Sequence, residues 1–296
     1  MKMLIIGANG QLGSELLGTC PDRSRAVGID LPEIDITDPV QTGSVLAAHQ
    51  PDWVVNCAAY TQVDKAESDP ETARAVNSDG PANLAGAARK LRAGFIHIST
   101  DFVFSGDQGR PYRPGDRPDP KSVYGKTKLA GERAVLDILG KNALIIRTAW
   151  LYASHGNNFV KTMLRLMTEK DSLRVVDDQI GTPCWAKGLA AAVWAAAAKD
   201  VKGIFHWTDA GVASWYDFAV AVQEEALAAG LLDRSIPIHP VPTSEYPTPA
   251  RRPAFSVLDK KDLVTATGLQ PLHWRRQLRH MLLELVQVPG TGKKNQ

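Results

Sequence analysis

The chain has 296 residues, 44% hydrophobic and 22% charged, with 34 basic against 32 acidic side chains and a net charge of +2. That is ordinary globular composition, long enough to bury a sizeable core in one large or two modest domains. The near-neutral balance gives no basic stripe, so no nucleic acid partner is expected.

Cys20, Cys57 and Cys184 stand far apart, in no CxxC or metal spacing, and read as reduced thiols of a cytoplasmic protein. The N-terminus enters Met3-Leu4-Ile5-Ile6-Gly7 directly, too short for a signal-peptide core. The longest apolar run, Leu189 to Ala198, is about half a membrane span and is bracketed by Lys187 and Lys199. No membrane partner is expected.

Lys2-Met3-Leu4-Ile5-Ile6 reads as a strand buried on both faces. Gly7, Gly10 and Gly13 follow with G-x-x-G-x-x-G spacing, and Ser14-Glu15-Leu16-Leu17 begins a helical pattern. Glycines between strand and helix permit a tight turn and let a diphosphate approach the helix N-terminus. Arg25 to Asp30 is a second strand ending in a carboxylate. Asp30 can accept the adenosine ribose hydroxyls and repel a 2′-phosphate, which leans toward NADH; Arg23 and Arg25 keep NADPH open. Asp38 is a helix cap with Pro39 in the first turn. Asp52 to Asn56 is a third strand, leading into Cys57-Ala58-Ala59-Tyr60-Thr61, small residues that suit either a flat cofactor or tight packing.

Glu71 to Leu91 is helical and broken near Gly80-Pro81. Gly94 to Ile98 is a fourth strand that delivers Ser99-Thr100-Asp101 to its carboxyl end, where ligands bind in open parallel sheets. A hydroxyl there can hold a carbonyl oxygen or simply cap a turn; His97 reads as strand packing. Ser105 to Lys121 is a loop rich in Gly, Pro and charge. Tyr124 and Lys128 then fall four apart on a helix, one face, about 5–6 Å between Cβ atoms. An ammonium beside a phenol favours the phenolate and lets the pair pass a proton to substrate oxygen. Such a pair is also common on helices with no chemistry at all.

Ala143 to Arg147 is a fifth strand. Alternating strands and helices over residues 1–150 predict an α/β fold with a doubly wound parallel sheet. Beyond it come an amphipathic helix from Phe159 to near Glu169, a strand Leu173 to Val176, and a polar loop Asp177 to Pro183. Residues 184–207 are expected to return to the sheet, while 151–183 and 208–288 form a smaller α/β lobe and 289–296 a tail. In that lobe Arg251 and Arg252 sit between prolines, in a stiff segment suited to a diphosphate or to a solvated turn.

The glycine loop, Thr100, and Tyr124 with Lys128 resemble the short-chain dehydrogenase/reductase superfamily in its extended form, with a Rossmann-type sheet. The blocks Glu33 to Asp38, Val63 to Glu67, Ser99 to Phe104, Tyr124 to Glu132, Gly156 to Phe159 and Pro249 to Pro253 are similar to the dTDP-4-dehydrorhamnose reductase family. The resemblance implies NADPH- or NADH-dependent reduction of the C4 ketone of a dTDP-sugar, closing dTDP-L-rhamnose synthesis. It also implies that Tyr124 donates the proton, Lys128 tunes it and meets the nicotinamide ribose, and Thr100 steadies the carbonyl.

Asp101 and Trp150 would touch the sugar nucleotide. Gly10, Gln11 and Leu12 would line the diphosphate, with Asp35, Ile36, Ala59, Tyr60 and Thr61 bordering the cofactor. Arg251 and Arg252 are chosen for the substrate diphosphate on their chemistry. Some relatives use magnesium at a dimer contact; Glu15 and Glu284 could contribute, but Lys187 occupies the expected third acidic position, so no metal is expected. A homodimer stays open. Two alternatives also stay open: a non-catalytic dinucleotide-binding regulatory subunit, and a nucleotide-sugar epimerase or dehydratase.

Overall fold

The structure, a computed structural model, describes residues 1–22 and 25–287. Arg23 and the 289–296 tail lie outside the described residues. Apolar β1 (Met3–Ile6) leads into α1 (Gln11–Gly18), followed by β2 (Ala26–Ile29), α2 (Pro39–His49) and β3 (Trp53–Asn56). Asp38 starts α2 by accepting from the amides of Val40 at 2.8 Å and Gln41 at 3.1 Å, with Pro39 in the first turn.

Next come α3 (Val63–Ala66), α4 (Pro70–Arg74), α5 (Gly80–Leu91), β4 (Gly94–Thr100), α6 (Val123–Leu139) and β5 (Ala143–Thr148). The expected break at Gly80-Pro81 takes a different form. Ala75–Asp79 forms one π turn, and Pro81 then sits at the start of α5, where its missing amide is no loss.

The second half contains β6 (Leu151–Tyr152), α7 (Phe159–Glu169), β7 (Leu173–Val176), β8 (Ile180–Gly181), β9 (Cys184–Trp185), α8 (Ala186–Ala198) and β10 (Gly203–His206). It closes with β11 (Ala213–Ser214), α9 (Trp215–Ala228), β12 (Ile238–Val241), α10 (Lys261–Thr267) and α11 (Trp274–Gln287). Six strands form one parallel sheet in the order β10-β5-β4-β3-β1-β2. The order runs outward in both directions from β1 and β3, which creates a crevice at the carboxyl edge.

Leu12 and Leu16 of α1 pack with Leu189 and Val193 of α8 on one face. Leu46 of α2, Leu84 of α5 and Val135 of α6 cover the other. Each such side chain contributes roughly 1.5–3 kcal/mol by burial, and together they fix the strand ends as a rigid platform. A separate core joins α7, α9 and α11 through Met163, Phe218 and Leu278. A proline also sits in a strand: β12 pairs in parallel with β7, Pro240 opposite Val175. A two-stranded edge ladder tolerates a proline because one side of the strand needs no amide.

Candidate active site

The carboxyl ends of β1 to β5 open into one cavity of about 790 Å³. Most of the residues singled out from sequence line it: Gly7, Gly10, Gln11, Leu12, Gly13, Asp30, Asp35, Ile36, Ala59, Thr61, Thr100, Asp101, Tyr124, Lys128, Trp150 and Arg252. Tyr60 and Arg251 are not among the lining residues. The Tyr60 backbone is held by Asn77 at 2.9 and 3.1 Å, and its hydroxyl donates to Asp69 at 3.2 Å. Arg251 is exposed.

The glycine loop fits a diphosphate. Gly7 has φ +80°, and a Cβ on Gly13 would lie 2.3 Å from the Gly7 carbonyl oxygen, so both positions need glycine. Helix α1 begins at Gly10 without a side-chain cap, leaving its first-turn amides unclaimed by any side chain. Asp30 ends β2 as expected, but its oxygens already accept from the amides of Asn9 at 2.8 Å and Leu31 at 2.9 Å. It shapes the loop as well as bordering the cavity. Arg25 pairs with Asp22 at 2.9 Å. Asp35 accepts from the amide and hydroxyl of Thr37, which holds its carboxyl below the usual range.

Helix α6 starts where Ser122 accepts from the Gly125 amide at 3.1 Å and Glu67 accepts from the Val123 amide at 2.8 Å. Tyr124 and Lys128 therefore enter the cavity in the first turn and a half, Tyr124 edge-on to Phe102 at 5.5 Å. Their electrostatics differ from the sequence expectation. Burial pushes the Tyr124 phenol up to about 12; a hydrogen bond with Thr100 works against this, and the Asp101 charge adds to it. Lys128 is buried as well. Its ammonium donates to the Ile98 carbonyl at 2.7 Å, and burial brings it down to about 8, opposed by Glu132.

Glu132 itself forms a buried bidentate pair with Arg147, at 2.8 and 2.6 Å, and accepts from the Ser99 hydroxyl. That pair ties α6 to β4 and β5 directly behind the reacting groups. Thr100 donates to Asp101 Oδ1 at 3.0 Å. Asp101 is buried and pushed up to about 6 by desolvation, with Ser256 and Thr100 lowering it. Its Oδ2 has no hydrogen-bond partner of good geometry.

Arg252 makes a fork-to-fork pair with Asp64, at 2.9 and 2.7 Å, and Asp64 also accepts from the Ala250 amide. The pair pins the proline segment onto α3 at the cavity rim. His97 is buried and bonded to Asn56 at 3.2 Å, a packing histidine. Sequence reasoning missed Asn157 and Trp215 as lining residues, while Cys57 belongs to the small-residue stretch already marked as suiting a flat cofactor. Asn157 lay in a motif already singled out; nothing in the local pattern marked Trp215.

The acidic residues considered for magnesium are Glu15 and Glu284. Lys187 pairs with Glu284, and Glu15 is buried with its carboxyl raised, chiefly by desolvation. Among the described residues no group of three or more His, Cys, Asp or Glu is placed to hold a metal. Among them, too, no helix is long and apolar enough to cross a membrane.

Comparison with known proteins adds an independent line. The family described as RmlD substrate binding domain matches residues 1–287. A dTDP-4-dehydrorhamnose reductase of Streptomyces griseus is 44% identical over 284 residues, covering 94% of this chain and 91% of that protein. A crystal structure of a dTDP-4-dehydrorhamnose reductase from Clostridium acetobutylicum superposes with a TM-score of 0.91 at 39% identity, covering 97% of this chain and all of that one (100%). The Bacillus anthracis enzyme of that name, solved in complex with NADP, gives 0.90 at 34% identity, covering 96% and 100% of the two chains. By sequence along its length and by fold, the chain belongs to the dTDP-4-dehydrorhamnose reductase family.

Proposed function

We propose that the chain reduces the C4 ketone of dTDP-4-dehydro-β-L-rhamnose to dTDP-L-rhamnose, using NADPH or NADH. The observation that carries this reading is the single cavity that joins the glycine loop, Thr100, Tyr124, Lys128, Trp150 and Arg252. Bound nicotinamide dinucleotide supplies the hydride. Gly7, Gly10, Gln11, Leu12 and Gly13 cradle its diphosphate, Asp30, Asp35 and Ile36 border the adenosine end, and Ala59 and Thr61 flank it. The Bacillus anthracis relative with NADP supports the phosphorylated form, and the Asp30 carboxylate supports NADH.

Thr100 turns its one hydroxyl proton from Asp101 to the sugar carbonyl oxygen and fixes its position. Tyr124 is the general acid. A phenol raised to about 12 keeps its proton at neutral pH and gives it up only to a stronger base, which the sugar oxygen becomes as hydride arrives at C4. Lys128 carries positive charge to the same spot and holds the nicotinamide ribose. Asp101 and Trp150 hold the hexose, and Arg252, which lines the cavity where Arg251 does not, serves the substrate diphosphate from its clamp on Asp64. The Lys187 ammonium paired with Glu284 opposes a cation at that position.

Residues 1–150 with 184–207 act as the dinucleotide-binding unit, and 151–183 with 208–288 as the substrate lobe. The free cysteines support a cytoplasmic setting. Exposed Leu283 and Val286 on α11 support a homodimer. The test is to incubate the protein with the keto sugar and either NADH or NADPH, and to identify the product by NMR. Stoichiometric oxidation of the reductant with dTDP-L-rhamnose formed is expected. No oxidation, or an epimerised ketone, would overturn the proposal.

A further inference from the structure

Trp150 has φ +45°, a left-handed backbone that a bulky L-residue rarely adopts unless its surroundings impose it. It lies two residues beyond the end of β5, at the sheet edge where the substrate half of the cavity begins. Two contacts hold its indole. The Trp215 ring stacks on it almost parallel, with centroids 3.6 Å apart and planes 7° apart. Gly181 meets the ring junction so closely that a Cβ there would lie 2.6 Å from Trp150 Cε2.

These clamping residues are themselves joined. The β8–β11 ladder pairs Gly181 with Ala213 and Ile180 with Ser214, so it sets Gly181 opposite the residue two before Trp215 and joins both clamping residues to one ladder. Trp215 opens α9, whose start is fixed by a capping box between Ser214 and Asp217. Phe159 packs against the Trp215 ring at 4.7 Å. The Trp150 carbonyl also accepts from the Cys184 amide at 3.2 Å. Trp215 thus sits on a rigid mount, and its ring is the part of that mount that touches Trp150.

We infer that Trp215 is a positioning residue for the proposed reduction: by stacking on Trp150 it holds that indole in its left-handed setting and fixes where the hexose ring rests. The inference builds on the proposed function, since it assumes that a sugar occupies this half of the cavity. It accounts for the glycine at 181, for the strained backbone of Trp150, and for two tryptophans lining one side of a cavity otherwise built by the sheet edge. An unclamped Trp150 would relax out of the left-handed region and swing its indole away from the sugar. The cost would fall on substrate placement and leave the dinucleotide end untouched.

Trp215→Ala, Trp215→Phe and Trp150→Phe test this with two readouts. Closely stacked indoles produce an exciton couplet in circular dichroism, measurable on the free protein. Steady-state kinetics with the keto sugar separate KM from kcat. The couplet is expected in the wild type and absent from all three variants. Trp215→Ala should raise the sugar KM about tenfold, near the upper end of what a stacked aromatic pair contributes, and leave the NADPH Kd within about twofold. Trp215→Phe keeps a flat ring and should recover most of the loss in KM.

Loss of the couplet with an unchanged sugar KM in Trp215→Ala would overturn the inference. So would equal weakening of sugar and NADPH in the well-folded Phe variant. If the wild type shows the couplet but oxidises no NADPH with the keto sugar, the reaction assigned above falls, and the positioning role falls with it.

Discussion

Replacing Asp101 with asparagine should stabilise the ligand-free protein near neutral pH, and the gain should depend on pH. The carboxyl is buried and sits at about 6 against an ordinary 3.8. Keeping it ionised at pH 7.5 therefore costs about 3 kcal/mol, at roughly 1.4 kcal/mol per unit. Asparagine carries no charge and retains an acceptor for the Thr100 hydroxyl. The hydrogen bonds it weakens return about 1–2 kcal/mol, so a net gain of about 1–2 kcal/mol is expected. The sign follows from linkage. A folded carboxyl with a raised pKa contributes its stability in full below 3.8 and loses it as pH rises through about 6. Urea unfolding of both proteins at pH 5 and pH 7.5 reads the difference, which should widen by about 1–2 kcal/mol at the higher pH. A variant equally destabilised at both pH values would refute the reasoning. Activity should fall even so, because a destabilised buried charge facing a cavity is the usual companion of a binding role.

Other expectations follow from the same geometry. Gly13→Ala would force a Cβ to 2.3 Å from the Gly7 oxygen, so a loss of about 1–3 kcal/mol in thermal unfolding and of NADPH binding by calorimetry is expected. Because burial brings Lys128 to about 8, kcat/KM should decline as pH rises through about 8, when the ammonium loses its proton; a profile flat to pH 9.5 would contradict the role given to that charge. Arg252→Ala frees the proline segment from Asp64 and should raise the sugar KM about tenfold while NADPH affinity barely moves. Equal losses for both ligands would place Arg252 in general packing instead.

Much of this arrangement is legible in the sequence because it is local. The strand-loop-helix order around Gly7, Gly10 and Gly13, the Thr100 hydroxyl at the end of β4, and the four-residue spacing of Tyr124 and Lys128 each depend on neighbours a few positions away. What sequence does not carry is who meets whom across the fold. Asp64 reaches Arg252 and so settles which of two adjacent arginines borders the cavity. Trp215 reaches Trp150 through a ladder of two-residue strands that no periodicity announces. Desolvation is likewise a property of the assembled site. Spacing suggests that Lys128 acidifies Tyr124; burial of the phenol and the Asp101 charge beside it raise it instead in the free protein. The β12 strand was hidden by Pro240, which is excluded from central strands and harmless on an edge.

The central claim is that one buried phenol protonates the sugar oxygen. Single-turnover kinetics of Tyr124→Phe with NADPH and the keto sugar test it most directly. Turnover about 10²–10⁴ below wild type, with NADPH affinity unchanged, is the expected result. A variant that reduces the ketone at the wild-type rate would contradict it.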